Sequence, residues 1–575
     1  MGKNFTVIRP KNLLPLACAL VVCVAILVLG IDIWFRNEAG THLLWFKNHP
    51  GFWDVLKYPG MIQHYRPVSF LMLSVIYHLF GPVALPFVLA NYIGFLLTLV
   101  FFYVLVHHEI GDTVAYFSVM ALFPLFYHVL YYPFNALHGI FYSWDVGWFC
   151  LALYLFMRSM ENKEQRFRYL TLSALVSLIA LGTHGFAGLT LAVIMAVYVV
   201  TRVAHLTKNP WIMIVGICVP VICLALIPLL EPMSGQLLKS GAPLFPYMST
   251  RISLMAKILM RPHIVPLIFG GIVQTIVYHL AKKRPASPLW GIAAAIIAFG
   301  LLHLMHRNIA QVILVAGMPL SFLVMVLRIP NCRIFALMGL MGMVHYFMVR
   351  GESSNYLRYL IFGLSPIIVF GLLKIGEALL LRLKLPLPNK QSLQGWAVVL
   401  TILTLAGIGL GVMDVPGVKV PVNKIRFLCH LSQTFQSILL EGMEKIPQDA
   451  EVYVFLGSVP EDDASATART QAREIATMYT RAHLYKLQPA KSYEYISYLS
   501  LIDRGDLSFR GIDRGHKLEP GEIIYMVAFN IYELMRIRTK FPAAQIVYMA
   551  KRGRAEAAIF QYTAPKDTST SPILK

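Results

Sequence analysis

Two carboxylates stand at the ends of long apolar stretches: Asp32 in LGIDIWFRNE and Asp145 in GIFYSWDVGWF. A carboxylate held there, in a cleft between loops, can act as a general base on an acceptor hydroxyl or amine. Both could also be plain helix-end charges, and Asp145 would be a favourable acid at a helix N-terminus. Glu38, Asp54, Glu231 and Glu352 share the same predicted face. That face also carries cations: Arg66, His184, Lys239, Arg251, Lys257, Arg261, Arg350 and Arg358. Guanidinium geometry suits a phosphate or diphosphate head group, and ordinary phospholipid phosphates would satisfy the same side chains.

The chain that positions these groups has 575 residues, 57% hydrophobic and only 14% charged. With a mean hydropathy of +0.63 it reads as a polytopic membrane protein, since soluble domains carry nearer a quarter charged residues. The net charge of +21 does not imply nucleic acid. Of the cations 29 fall in residues 1–413 against 11 acids, while 414–575 holds 21 against 18, so the excess belongs to the membrane part.

Apolar stretches of spanning length begin near residues 12, 83, 113, 145, 169, 187, 211, 263, 288, 309, 333, 357 and 395. They predict roughly thirteen spans. Alternate loops are basic, which places the N-terminus in the cytoplasm of a bacterial inner membrane and the C-terminal segment outside. The alternation holds only if HYRPVSFLMLSVIYHLFG, residues 64–81, does not cross; it is predicted to lie in the outer interface. MGKNFTVIRPKN precedes the first apolar run without a small-residue cleavage site and reads as the flank of a retained span.

Residues 1–413 are thus expected to form the transmembrane domain, with an outer loop over 32–82, and 414–575 a small extracytoplasmic α/β domain. Strand character is strongest in EVYVFLG, GEIIYMVAF, AQIVYMA and AEAAIFQYTA; NIYELMRIRTKF reads as a helix, and 565–575 as a frayed tail. The seven cysteines form no disulfide framework or metal pattern, and no phosphate-binding loop or zinc motif is present. His303, His306 and His345 read as core histidines, and the aromatic run FYHVLYYPFNALHGIFYSW mainly as an interfacial belt.

The order of an acid after the first span, then YRPVSFLMLSVIYHLFG, then a span, resembles the GT-C membrane glycosyltransferases, in particular the protein O-mannosyltransferase and aminoarabinose transferase group. SWDVGWFCLALYLF resembles that family's second acidic motif. ALGTHGFAGLTL looks like its TKGP turn, with His184 where Lys is common, and NYLRYLIFGLSP resembles its late RYLLP motif. The resemblance covers roughly residues 12–375 and implies a transferase that takes a sugar from a polyprenyl-phosphate carrier to a lipid, glycan or protein acceptor.

Carried over residue by residue, the resemblance makes Asp32 the catalytic carboxylate, with Asp54 ranked second. The second acid is Asp54, Glu38 or absent, since this chain has DI where the family often has DE or DD, and Asp145 orients the acceptor or supports Asp32. Arg66, His184, Arg358 and Tyr359 would hold the lipid phosphate. No metal or other cofactor is expected, although Asp32 and Asp145 could share a divalent ion. Two other classes stay open: a transporter or lipid flippase, and an inactive scaffold that binds a partner through its outer domain.

Overall fold

The computed structural model describes residues 14–29, 50–57, 66–81, 83–125, 139–162, 164–207, 264–281, 287–304, 307–348, 357–386, 398–406, 451–454, 520–528, 531–553 and 555–566, with isolated positions between them. In chain order the helices are α1 (Leu14–Leu29), α2 (Phe52–Lys57), α3 (Pro67–Phe80), α4 (Ala84–Glu109), α5 (Asp112–Leu125), α6 (Gly139–Ser143), α7 (Asp145–Glu161), α8 (Arg166–Thr183), α9 (Gly185–Thr207), α10 (Val265–Leu280), α11 (Leu289–Leu304), α12 (Arg307–Arg328), α13 (Arg333–Met348), α14 (Arg358–Arg382) and α15 (Ile531–Lys540). They open close to where the apolar stretches do; the stretch near 211 lies outside the described residues.

This is an integral membrane protein, mostly helical, with a small sheet near its C-terminus. Among the described residues, Ala84–Glu109, Gly139–Glu161 and Arg358–Arg382 are long and apolar enough to cross a membrane. Helix is the form that satisfies every backbone group internally where lipid is the solvent.

The described chain divides into two compact units, one drawn from residues 1–28, 90–133 and 139–421, the other from 29–89, 134–138 and 422–575. In the first, the helices pack through small residues. A side chain on Gly342 would meet the backbone of Leu360, and one on Gly371 would overlap the carbonyl of Gly271. Where apolar burial no longer distinguishes protein from lipid, such close approach supplies the packing attraction. Hydroxyls add bonds between helices: Ser173 Oγ to the Ala152 carbonyl at 2.8 Å and Ser365 Oγ to the Ser118 carbonyl at 2.7 Å.

In the second unit, α2 packs against α3. Helix α3 has both ends fixed in sequence: Pro67 opens it after Arg66, and Gly81 closes it at φ 68°, donating its N–H to the Tyr77 carbonyl. Its 14 residues rise about 21 Å. Ser69, Phe70, Leu73 and Ser74 form its buried side.

The same unit holds the sheet. Its strands are β1 (Glu451–Val454), β2 (Tyr493–Glu494), β4 (Ile523–Ala528), β5 (Gln545–Arg552) and β6 (Ala555–Thr563), in the order β2-β1-β4-β6-β5. β1 is parallel to β2 and β4; β6 is antiparallel to β4 and β5. Ile537 and Phe541, at the end of α15, pack on Ile524, Met526, Phe560 and Tyr562. The α/β expectation thus holds for these strands and α15, while TARTQAREIATMYTRAHL lies outside the described residues. The frayed-tail expectation needs correction: β7 (Ile573–Leu574) pairs antiparallel with β3 (His516–Lys517). A two-residue pairing has too few positions to leave an alternation in the sequence.

Candidate active site

Asp145 opens α7 and Arg358 opens α14, so the two helices bring their N-terminal ends to one place. Arg358 donates from Nε to Asp145 Oδ2 at 2.6 Å, and its Nη2 lies 2.5 Å from the same oxygen. Tyr359 Oη donates to Oδ2 at 3.3 Å, and the Val146 N–H donates to Oδ1 at 2.7 Å. Both charged side chains have no solvent exposure. A carboxylate complements the positive end of α7, whereas a guanidinium at the positive end of α14 is opposed by the helix dipole. Asp145 offsets that opposition.

Aromatic rings close the surroundings. The Arg358 guanidinium lies over Tyr142, 4.8 Å from its centroid, and 5.2 Å from that of Tyr359. Tyr142 is 6.0 Å from His184, which caps α8 just before α9. His184 meets His345 edge to face at 5.5 Å, and His345 stacks on Phe186 at 3.7 Å. Phe186 and Phe149 both contact Tyr359 edge-on. The result is an enclosed polar centre in an aromatic shell, where a fixed charge acts with little screening.

Four predicted site residues therefore converge: Asp145, Arg358 and Tyr359 by direct contact, His184 through Tyr142. Arg66 is buried beside α3, and Asp54 is exposed on α2; both belong to the other compact unit. Asp32 and Glu38 lie outside the described residues, as do Glu231, Glu352 and the cations Lys239, Arg251, Lys257, Arg261 and Arg350. Among the described residues no group of three or more His, Cys, Asp or Glu could hold a metal ion.

Sequence reading missed Tyr142, Phe186 and His345. Tyr142 stood three positions before Asp145, a spacing that puts two side chains on one helical face, but its aromatic run looked like a membrane belt. His345 left no comparable signal.

The chain is similar to two solved structures of ArnT from Cupriavidus metallidurans. The one bound to undecaprenyl phosphate shares 13% identity, with 95% of this chain and 97% of that chain covered and a TM-score of 0.44. The apo state shares 12%, covering 96% and 98%, at 0.38. An oligosaccharyltransferase from Archaeoglobus fulgidus in apo form shares 10% identity, with 81% of this chain and 64% of that one covered, also at 0.38. Both proteins are GT-C glycosyltransferases, the superfamily whose motifs this sequence resembles. No protein-family model matches the chain, and no curated protein matches it by sequence.

Proposed function

We propose that the protein is a GT-C glycosyltransferase that moves a sugar from a polyprenyl-phosphate carrier to a lipid, glycan or protein acceptor at the outer face of the membrane. The observation that carries this reading is the buried Asp145–Arg358 pair with Tyr359, formed by two of the sequence motifs that resemble the family. An apolar bundle has no packing need for such a pair, and ionisable groups within membrane segments are costly enough to mark function.

In the proposed reaction the acceptor oxygen or nitrogen attacks the anomeric carbon opposite the phosphate. The bond from that carbon to the phosphate oxygen breaks, the lipid phosphate leaves with the electron pair, and Asp32 takes the acceptor's proton. Asp54 is the reserve second acid. Arg66, His184, Arg358 and Tyr359 stabilise charge developing on the phosphate. Asp145 acts here as a positioning residue: with one oxygen holding both Nε and Nη2, it sets the direction of Arg358 and offsets its charge in the resting state.

The test is single-turnover transfer from radiolabelled polyprenyl-phosphate sugars in nanodiscs. Asp32→Asn is expected to lower the rate by about 10²–10⁴-fold while carrier binding persists. Asp145→Asn should weaken carrier binding as well as rate. Full activity in Asp32→Asn would overturn the catalytic assignment, and no transfer from any carrier by the wild type would overturn the transferase reading.

A further inference from the structure

Helix α14 carries a second polar pair, remote from Asp145. Lys374 lies sixteen residues beyond Arg358, about 24 Å along the helix axis, so with Arg358 near one membrane face the Lys374 side chain can snorkel toward the head groups of the other. Its ammonium contacts Glu377 Oε2 at 2.5 Å and sits over Tyr278, 4.9 Å from the centroid. Both charges remain partly exposed, Lys374 at 25% and Glu377 at 41%.

Beside this pair opens a cavity of about 810 Å³, bounded by α5, α10, α14 and the helical stretch 398–406. Val114, Phe117, Met120, Val369, Leu373 and Leu400 give it an apolar interior. Its polar groups are Thr113, Lys374 and Glu377. The volume falls in the range of about 300–1,000 Å³ typical of ligand sites. The charges on its wall have both signs, in one fixed pair, and the interior is hydrocarbon-like.

We propose that this cavity is a binding site for a membrane phospholipid with a primary-amine, zwitterionic head group. The acyl chains fill the apolar interior, the phosphate faces the Lys374 ammonium, and the head-group ammonium faces the Glu377 carboxylate. Charge complementarity selects this occupant. A purely anionic head would meet Glu377 as well as Lys374, and a quaternary amine has no N–H to donate to the carboxylate. The site is independent of the transferase reading, because it uses no residue of the Asp145 cluster.

Native mass spectrometry of the full chain, delipidated in detergent and titrated with phosphatidylethanolamine, phosphatidylglycerol or phosphatidylcholine of identical acyl chains, tests this directly. Wild type should retain phosphatidylethanolamine roughly three- to fivefold more strongly than either competitor. Glu377→Gln, at a partly exposed position, should abolish that preference, and Leu373→Trp should reduce retention of all three by filling the interior. Equal or stronger retention of phosphatidylglycerol by the wild type would overturn the proposal, even if Leu373→Trp fails to fold. So would unchanged retention in a well-folded Leu373→Trp, or a lipid-free dimer that occupies the face.

Discussion

Arg358 and Asp145 meet across 213 residues of sequence, with two guanidinium nitrogens on a single carboxylate oxygen and no solvent on either side chain. The contact ties the first turn of α14 to the first turn of α7. Because both ends carry the positive pole of a helix, the pair is asymmetric: Asp145 would be stabilised there without Arg358, whereas Arg358 needs Asp145.

That asymmetry gives a ranked outcome for single and double substitutions. Asp145→Leu takes the carboxylate away from a buried guanidinium and should destabilise the detergent-solubilised protein by about 3–5 kcal/mol. Arg358→Met leaves a carboxylate that the helix end and the Val146 N–H still support, and should be milder. The double variant should recover much of the Asp145→Leu loss. Thermal unfolding of the three variants checks the order; additive losses would remove the coupling.

Close helix approach makes a second prediction. A methyl group at Gly371 would overlap the carbonyl oxygen of Gly271, which is backbone and has no rotamer to change. Gly371→Ala should therefore push α10 and α14 apart at about 1–3 kcal/mol. Gly376, five residues along the same helix, faces open space. Gly376→Ala should be neutral or stabilise by up to about 1 kcal/mol through helix propensity. Melting temperatures of the two variants should move apart.

Thr98 donates from Oγ1 to the Ser143 carbonyl at 2.7 Å, linking α4 to the turn that precedes Asp145. Removing one such bond in a membrane protein costs about 0.6 kcal/mol on average. Thr98→Val keeps the shape against Gly147 and should lower stability by that small amount; a loss several times larger would mean the bond holds the Asp145 turn in place.

The boundaries of the membrane helices were legible because charge, Pro and Gly interrupt otherwise unbroken apolar runs, as at Arg66–Pro67, Gly81 and Asp145. Asp145, Arg358, Tyr359 and His184 were each visible as polar residues in an apolar setting. Their meeting was not, since no local periodicity relates positions two hundred residues apart. Tyr142 was hidden by neighbours of its own kind, and His345 looked like any core histidine. In the C-terminal unit the alternating strands announced themselves, but β3 and β7, two residues each, did not.

The C-terminal sheet also carries a contact that acid should loosen. Arg552, at the end of β5, donates from Nη2 to both Glu441 oxygens at 2.6 and 2.7 Å, and Tyr548 Oη donates to Oε2 at 2.9 Å. The Arg552 hydrogen bonds, then that of Tyr548, hold the Glu441 carboxyl below its ordinary value. A carboxylate with a lowered folded pKa contributes stability above its unfolded value of about 4.3, and that contribution is lost as pH falls through the folded value. Hydrogen exchange of the β5 amides, corrected for intrinsic rates, should therefore show protection that is flat from neutral pH to about 5 and declines below about 4. Glu441→Gln should remove this decline; the same acid sensitivity in that variant would place its source elsewhere.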